Sequence, residues 1–508
     1  MKRDLDGLVD DVFDVLVIGG GIYGASVARD AALRGLSVAL VERDDFGALT
    51  SHNSLKLIHG GIRYLQQADI GRLLASSRER SFWLRAAPTL ITPLRFVIPL
   101  YGYAARGPEA FRIAALTYNM LTRGSRQGLV PAAGVIDTIE ARALLPDAGP
   151  RLRGGGVWHD GQMRDANRVE LACLMGAVER GARIANHLEA MDFLMTGDRV
   201  EGAVVEDRLS GRSFSVHARL TVNCAGPLVT DLLGRSLRKF SLQPFPKLQR
   251  AMNLVIGRRL TGNAAIGVVS RRKADSVVDR GGRMFFLTPW GETTVVGTEH
   301  LPFTGDPSDF DFREDEIAAF LDEINGAAPG LGLSREDVRY CYAGLTPATL
   351  DDDSGKVRQA KRGNIIDHRA SDGVDGLMSV VGVKYTTARL IAERAVHQAM
   401  AKLDRPAVAS TTGNVPFPAL DPLPERYENR ASLRARVDTA VDEEMAMRLG
   451  DLVFRRSRLG EGGRIADGQI EAIAALMADR LGWNEAKRIE EIDAVAGRLA
   501  RHEGREPD

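Results

Sequence analysis

Cysteine is scarce in this chain: Cys173, Cys224 and Cys341 are scattered singly among 508 residues. With no C-x-x-C pair and no close histidine spacing, the sequence offers neither a disulfide framework nor a zinc site, and it suits a reducing compartment. A charge imbalance is also missing. Lys plus Arg and Asp plus Glu number 67 each, so no global field draws the chain to nucleic acid. No apolar run reaches about 18 residues, the length a membrane-crossing helix needs. Residues 1–13 are acidic-polar rather than basic-then-apolar, unlike a secretory signal, and the expected location is cytoplasmic. Internal repeats and low-complexity tracts are absent. What is left is an ordinary globular composition, 44% hydrophobic and 26% charged, long enough for roughly two or three domains.

One stretch stands out from that background: Asp14 to Glu42, DVLVIGGGIYGASVARDAALRGLSVALVE. Val15–Ile18 is short, apolar and rich in β-branched residues, which predicts a buried strand. Gly19, Gly21 and Gly24 follow at the spacing G-x-G-x-x-G. A helical stretch of small residues comes next (Ala25, Ala28, Ala31, Ala32), stopped by Gly35, and a second strand, Val38–Val41, ends at Glu42. Gly19 permits a tight turn, Gly21 lets the backbone approach a pyrophosphate, and Gly24 lets the helix pack close to the sheet. The helix N-terminus offers free N–H groups and positive dipole to phosphates. Glu42 is placed to accept from ribose hydroxyls. Strand, turn, helix, strand and acid fall in register, and together they predict a bound dinucleotide. No second motif of this kind appears, which argues against a nicotinamide-dependent enzyme.

The loop after Glu42, RDDFGALTSHNSLKLIHGGIRYLQQ, is elaborate for a connection, and loops held by rigid scaffolds carry binding groups. His59-Gly60-Gly61 brings backbone close to something flat or crowded. Arg63-Tyr64 follow, with a helix predicted over Asp69–Leu84. The run from Thr50-Ser51 through Ser54-Leu55-Lys56-Leu57-Ile58-His59-Gly60-Gly61-Ile62-Arg63-Tyr64-Leu65, joined to the glycine motif, closely resembles the flavin-dependent glycerol-3-phosphate dehydrogenases. The resemblance implies FAD as cofactor and sn-glycerol 3-phosphate as small-molecule substrate. Its C2 alcohol would be oxidised to dihydroxyacetone phosphate by hydride transfer to flavin N5, with electrons passed to quinone or oxygen. It also implies an α/β fold. A discontinuous FAD-binding Rossmann-like domain of the glutathione-reductase/amino-acid-oxidase type would take residues 12–90, 150–235 and 360–405. A substrate domain on an antiparallel sheet would take 91–149 and 236–359, and a C-terminal helical domain 415–508.

Later segments extend the likeness. Asp165 can cap a helix to Arg180, ended by Gly181, and Asp160 and Asp165 fall in matching places. Strand Leu220–Cys224 leads to Ala225-Gly226-Pro227, a turn that packs on the dinucleotide in this group. Strands over Met252–Ile256, Met284–Leu287 and Thr293–Gly297, with one helix over Arg313–Asn325, predict the antiparallel wall. Strand Leu377–Val381, the turn Gly382-Val383-Lys384-Tyr385 and a helix to Met400, capped by Thr386 or Thr387, form the third dinucleotide piece. In the family that helix N-terminus points at the flavin's pyrimidine edge, where a positive dipole end and Lys384 would stabilise the reduced anion. Beyond the linker Val415–Pro424, helices are predicted over Val437–Leu449 and Ile470–Leu481, with Asn484 capping a last one to about Leu499; their expected role is packing. Residues 91–130 mix apolar runs with Arg95, Arg106, Arg112, Arg123 and Arg126 against only Glu109. The reading is a helix packed in the core with its arginine heads in solvent, the alternative a segment lying on a membrane surface. Arg142-Ala143-Leu144-Leu145-Pro146 marks the next turn.

On this likeness the cofactor ligands are Gly19, Gly21, Gly24, Glu42, Thr50, Ser51, Lys56, His59, Gly60, Gly61, Ala225, Gly226, Gly382, Lys384 and Thr386. Arg63, Tyr64, Arg250, Thr346, Arg362 and Lys384 face the substrate, with Arg63 and Lys384 polarising its oxygens. The base is His59, in the matching loop, or His300, peculiar to this chain. Three departures fall on the substrate side. The family's Gly-Val-Arg-Pro reads Gly344-Leu345-Thr346-Pro347, its Lys-Gly-Ser-His reads Arg250-Ala251-Met252-Asn253, and its Gly-Thr-Thr-Asp reads Gly297-Thr298-Glu299-His300. Losing an arginine fork from a dianion site forfeits roughly 2–5 kcal/mol if buried. Another cation then substitutes, Arg250 being one candidate, or the substrate is not a phosphate ester. The rival readings are a flavin enzyme of an unphosphorylated 2-hydroxy acid or secondary amine, and a non-catalytic flavoprotein that docks a partner or relays electrons. Peripheral membrane contact and a homodimer stay open.

Overall fold

The structure, a computed structural model, describes the chain apart from residues 104–106, 146–147, 238–239, 242–244, 246, 274–281, 310–311, 351–356, 425, 463–464 and 504–508. Arg106 and Pro146 lie outside the described residues.

Two sheets organise the rest. In the first, Val12–Ile18 lies between Val38–Val41 and Ser213–Asn223, parallel to both, and Leu377–Val381 extends the parallel run beyond Ser213–Asn223. Buried on both faces, such strands must be apolar almost throughout, which is why Val15–Ile18 reads as a continuous run. Helix Ile22–Leu33 packs on one face between helices Ala166–Val178 and Ala388–Lys402. Its alanines make this three-helix layer close, and Ala25, Ala28 and Ala31 are fully buried. The hairpin Leu188–Thr196/Arg199–Asp207 leans on the same sheet from Ser213–Asn223.

The second sheet is antiparallel but for one parallel pair, Ala264–Lys273 with Ile91–Tyr101. Its period-2 side chains supply two cores. Met252, Leu254 and Ile256 meet helix Glu314–Ala327, while Val255, Val295, Tyr340 and Tyr342 meet the C-terminal helices Arg430–Glu444, Gln469–Leu481 and Glu485–Glu503. The C-terminal segment therefore closes one face of the substrate sheet.

Several boundaries differ from the sequence reading. Residues 91–130 split into a strand, Ile91–Tyr101, and a helix, Pro108–Arg126. The β-branched Ile91, Thr92, Val97 and Ile98 favour the strand, and the masking factor was the arginines that follow. Strand Leu152–Met163, grouped by sequence with the dinucleotide pieces, pairs with Ile91–Tyr101 in the second sheet. The helix expected over Val437–Leu449 runs earlier, Arg430–Glu444, capped by Asn429 and ended by Met445 in the left-handed region. Thr387 stands at the N-cap of the helix to Lys402 without a side-chain hydrogen bond to its amides, and a 3-10 turn, Tyr385–Thr387, precedes it. Asp165 and Asn484 do cap as expected, and Asp69 also caps its helix, each accepting an amide three residues on. Among the described residues no helix is long and apolar enough to cross a membrane.

Candidate functional site

The glycine turn carries its own explanation in atoms. Gly19 has φ +102°, and a Cβ there would sit 2.6 Å from the Cys224 carbonyl oxygen; one on Gly24 would sit 1.9 Å from the Gly19 carbonyl oxygen. Those two glycines answer to the protein itself. Gly21 does not. A Cβ there would meet only Ser51 Oγ, at 3.2 Å, so the space before it lies open to an incoming pyrophosphate. Cys224 and Ala225, just past the end of the neighbouring strand, abut Gly19, and Gly226 has φ +60°. At the tip of the second strand, Glu42 accepts from the Gly20 amide at 2.6 Å and the Asp44 amide at 2.8 Å. Burial, with Asp44 adding to it, pushes the Glu42 carboxyl up to about 7. Ribose hydroxyls donating to that carboxylate would draw it back to the ionised form. Ser51 Oγ accepts from the first-turn amide of Ile22 at 2.9 Å, and Thr50 donates to the Leu345 carbonyl at 2.9 Å, tying the loop to both sheets. The residues present fit FAD.

Lys56 sits elsewhere than expected. Its ammonium is buried, donates to the His52 carbonyl and lies 4.3 Å from the Tyr342 ring centroid, under the second sheet. Burial pushes it down to about 8 and its neighbour Glu461 up to about 7. Lys56 joins the loop to the C-terminal segment instead of reaching the cofactor.

At the other end of the loop, His59 and the third dinucleotide piece come together. The His59 amide donates to Thr386 Oγ1 at 3.1 Å, and Trp83 Nε1 donates to the Thr386 carbonyl at 2.9 Å. The His59 imidazole is half exposed, and its Nδ1 lies 3.2 Å from Asp160 Oδ2. Burial works to raise the Asp160 carboxyl; the hydrogen bond and charge of His59, the Arg80 guanidinium and the Gly60 amide outweigh it and hold the group below the usual carboxylate range. An ionised Asp160 accepts a hydrogen bond from His59 Nδ1–H and leaves Nε2 as an acceptor, the arrangement a general base requires. Gly60 has no room for a side chain, since a Cβ would come 2.2 Å from Arg80 Nη1. Tyr23, in the first turn of the dinucleotide helix, fixes Gly382–Lys384: its hydroxyl donates to the Lys384 carbonyl at 2.8 Å and accepts the Val383 and Lys384 amides at 3.1 and 3.2 Å. Nothing in the glycine spacing marks Tyr23 for this task.

Beside His59 the cations gather on one aromatic ring. Lys384 Nζ donates to the Tyr64 hydroxyl and lies 4.7 Å from the ring centroid, and Arg72, paired to Asp69, stacks at 4.6 Å. Arg63 is exposed one residue away and forms no ion pair among the described residues. Arg362, also exposed, lies close enough for its charge to lower the Asp69 carboxyl.

The facing wall is neutral. Gln249 donates to Thr346 Oγ1 at 3.3 Å, and Thr298 donates to Asn253 Oδ1 at 2.7 Å. Gly344 meets Thr50, and Gly297 meets Leu55, so this face of the sheet is the one turned to the loop. Arg250 is out of place for a substrate: it points to the opposite face, where it pairs with Glu316 on helix Glu314–Ala327. His300 pairs in register with Ala251 near the end of strand Thr293–Phe303 and is exposed.

Comparison with known proteins identifies the family. A family model described as FAD dependent oxidoreductase matches residues 14–397, and one described as the C-terminal domain of alpha-glycerophosphate oxidase matches residues 412–488. The glycerol-3-phosphate dehydrogenase of Synechocystis sp. is 31% identical over 433 residues, 84% of this chain and 77% of that protein. The aerobic glycerol-3-phosphate dehydrogenase of Staphylococcus saprophyticus is 28% identical, over 77% of this chain and 67% of that one. The structure of the Bacillus halodurans glycerol-3-phosphate dehydrogenase complexed with FAD superposes with a TM-score of 0.75 at 23% identity, covering 98% of this chain and 97% of that one; at that identity it speaks for the fold. The chain belongs to the FAD-dependent oxidoreductases and, within them, to the glycerol-3-phosphate dehydrogenase family.

Proposed function

We propose that the protein oxidises the C2 alcohol of sn-glycerol 3-phosphate to dihydroxyacetone phosphate. FAD, when bound, supplies the two-electron acceptor for the C2 hydride. The observation that carries the reading is the juxtaposition of the His59–Asp160 pair with the cations around Tyr64. His59 Nε2 takes the hydroxyl proton while Asp160 steadies the imidazolium that forms. Arg63 and Lys384, with Arg362 at the rim, receive the phosphate dianion, and Tyr64 holds the Lys384 ammonium in place. Three cations around one anion compensate for the uncharged Thr346.

The neutral wall of Gln249, Asn253, Thr298 and Thr346 favours a second reading, an unphosphorylated 2-hydroxy acid bound by Arg63 and Lys384 alone. Anaerobic bleaching of the flavin by glycerol 3-phosphate, beside glycerol, lactate, malate and sarcosine, separates the two. Reduction by glycerol 3-phosphate with competition from inorganic phosphate supports the first; reduction only by lactate or malate refutes it.

Quinone or oxygen then takes the electrons, and a surface suited to membrane contact is present. Helix Pro108–Arg126 buries Ala115, Tyr118 and Thr122, yet its outward stripe is apolar: Ile113, Leu116 and Met120 are 68%, 70% and 72% exposed. Arg112 and Arg123 flank that stripe on one side, and the single acid, Glu109, is paired with Arg153. An apolar centre with a cationic border suits an anionic lipid surface.

A further inference from the structure

Buried charge persists only where it is paired and hydrogen-bonded, and a dense concentration of it lies away from the reacting groups, where the C-terminal segment meets the loop after Glu42. Asp45 is fully buried. Its Oδ1 accepts from Arg456 Nη2 at 2.8 Å and Asn186 Nδ2 at 2.9 Å; its Oδ2 accepts from Arg456 Nη1 at 2.9 Å and Arg455 Nε at 2.5 Å. Arg456 is further pinned through Nε to the Glu444 carbonyl at 3.0 Å. Two consecutive arginines reach one carboxylate because Leu452–Arg456 forms a π-helical turn, whose wider winding alters the angle between successive side chains.

The next residues of the loop are the ones that brace the glycine turn. Phe46 packs where a Gly20 Cβ would come within 2.7 Å of its ring, the Gly47 amide donates to the Gly20 carbonyl at 3.2 Å, and Ser51 receives the Ile22 amide. Asp45 thus stands between a double-arginine anchor and the glycine turn, Gly20–Ile22. Asp44, beside it, is held separately by Arg43 and Arg208.

We infer that Arg455 and Arg456 are positioning residues for the flavin nucleotide: by fixing Asp45 they hold Phe46–Ser51 against Gly20–Ile22. The C-terminal domain thereby governs cofactor retention without contributing a ligand, a role that rests on the FAD site described above.

The test uses the full-length holoenzyme and its apo form, with Arg456→Met, Arg456→Lys and, as control, Arg480→Ala, which removes an exposed pair with Asp442 in the same domain. The readouts are the FAD dissociation constant and release rate, followed by flavin fluorescence, and the melting temperatures of both forms. The expected result is FAD affinity weakened ~10-fold or more in Arg456→Met, an intermediate loss in Arg456→Lys, which keeps the charge but not the fork, and no change in the control. The gap between holo and apo melting temperatures shrinks in the same order. If both Arg456 variants melt lower in apo and holo forms alike while FAD affinity stays at the wild-type value, the residues serve only the fold and the inference falls. Should Arg456→Met not fold, Arg456→Lys decides by the same comparison. Failure of the wild-type protein to bind FAD would overturn the cofactor site itself, a separate outcome read in the same series.

Discussion

Replacing Asp160 by asparagine exchanges one oxygen for an NH2 at almost constant volume, yet four donors converge on that carboxylate. Oδ1 accepts from the Gly60 amide at 2.7 Å and Arg80 at 3.4 Å; Oδ2 faces His59 Nδ1 at 3.2 Å and accepts from Trp158 Nε1 at 3.2 Å. An amide keeps one accepting oxygen. With that oxygen toward Gly60 and Arg80, the NH2 faces His59, whose proton moves from Nδ1 to Nε2 so that the base is lost, and one buried donor, Trp158 Nε1, is left unpaired. Turned the other way, the NH2 opposes the Gly60 amide and Arg80 and leaves buried donors unpaired at about 1–3 kcal/mol each. The first orientation costs less and is the one expected. A positioned general base is worth ~10²–10⁴ in rate, about 3–5 kcal/mol of barrier, so flavin reduction by substrate should slow by that factor with FAD content unchanged. The sign of the pH effect follows from the depressed carboxyl. Asp160 contributes stability above its ordinary range and loses it only as pH falls through the lower folded value. At neutral pH the defect in Asp160→Asn is therefore one of tautomer rather than of charge titration. Anaerobic stopped-flow measurement of the reductive half-reaction at neutral pH checks it. A wild-type rate constant in a fully flavinated Asp160→Asn protein would refute the assignment of His59 as base.

Arg63→Ala should lower kcat/KM for glycerol 3-phosphate about tenfold and weaken inhibition by inorganic phosphate, whereas Arg250→Ala should leave both unchanged and lower only the melting temperature, because Arg250 serves Glu316 on the far face. Glu42 sits near 7 before the nucleotide arrives, and an ionised acceptor holds hydroxyl donors more strongly; FAD affinity of the apo protein should rise as pH increases through 7, and Glu42→Gln, titrated by fluorescence quenching, should lose ~10-fold in affinity together with that dependence. Replacing Ile113, Leu116 and Met120 by glutamine together should cut co-sedimentation with anionic vesicles at least ~10-fold, given ~1.5–3 kcal/mol for each side chain fully withdrawn from water, and leave turnover with a soluble acceptor intact; equal sedimentation of variant and parent would remove helix Pro108–Arg126 as the contact.

What could be read from the chain alone divides by the range of the interaction. The glycine turn was legible because each of its demands is met within a few residues: Gly19, Gly24 and the buried Val15–Ile18 lie on one βαβ unit. The helices begun by Asp165 and Asn484 were legible for the same reason, a cap and its amide being three positions apart. Ladder register is less local, and so strand Leu152–Met163 was grouped with the wrong sheet and Arg250 was credited to the substrate: alternation shows that neighbouring side chains oppose each other, but not which face looks at the flavin loop. Least legible were the buried ion pairs. Asp45 and Arg456 are 411 positions apart, His187 and Asp451 are 264 apart, and Arg168 and Glu444 are 276 apart; each sequence neighbourhood looks like an ordinary charged surface. All three join the dinucleotide pieces to a C-terminal segment whose spacing promised only packing. Because a buried carboxylate deprived of its partner is costly while an exposed one is not, these distant pairs constrain how the C-terminal helices may seat, and one of them, at Asp45, transmits that constraint to the turn that must receive the pyrophosphate.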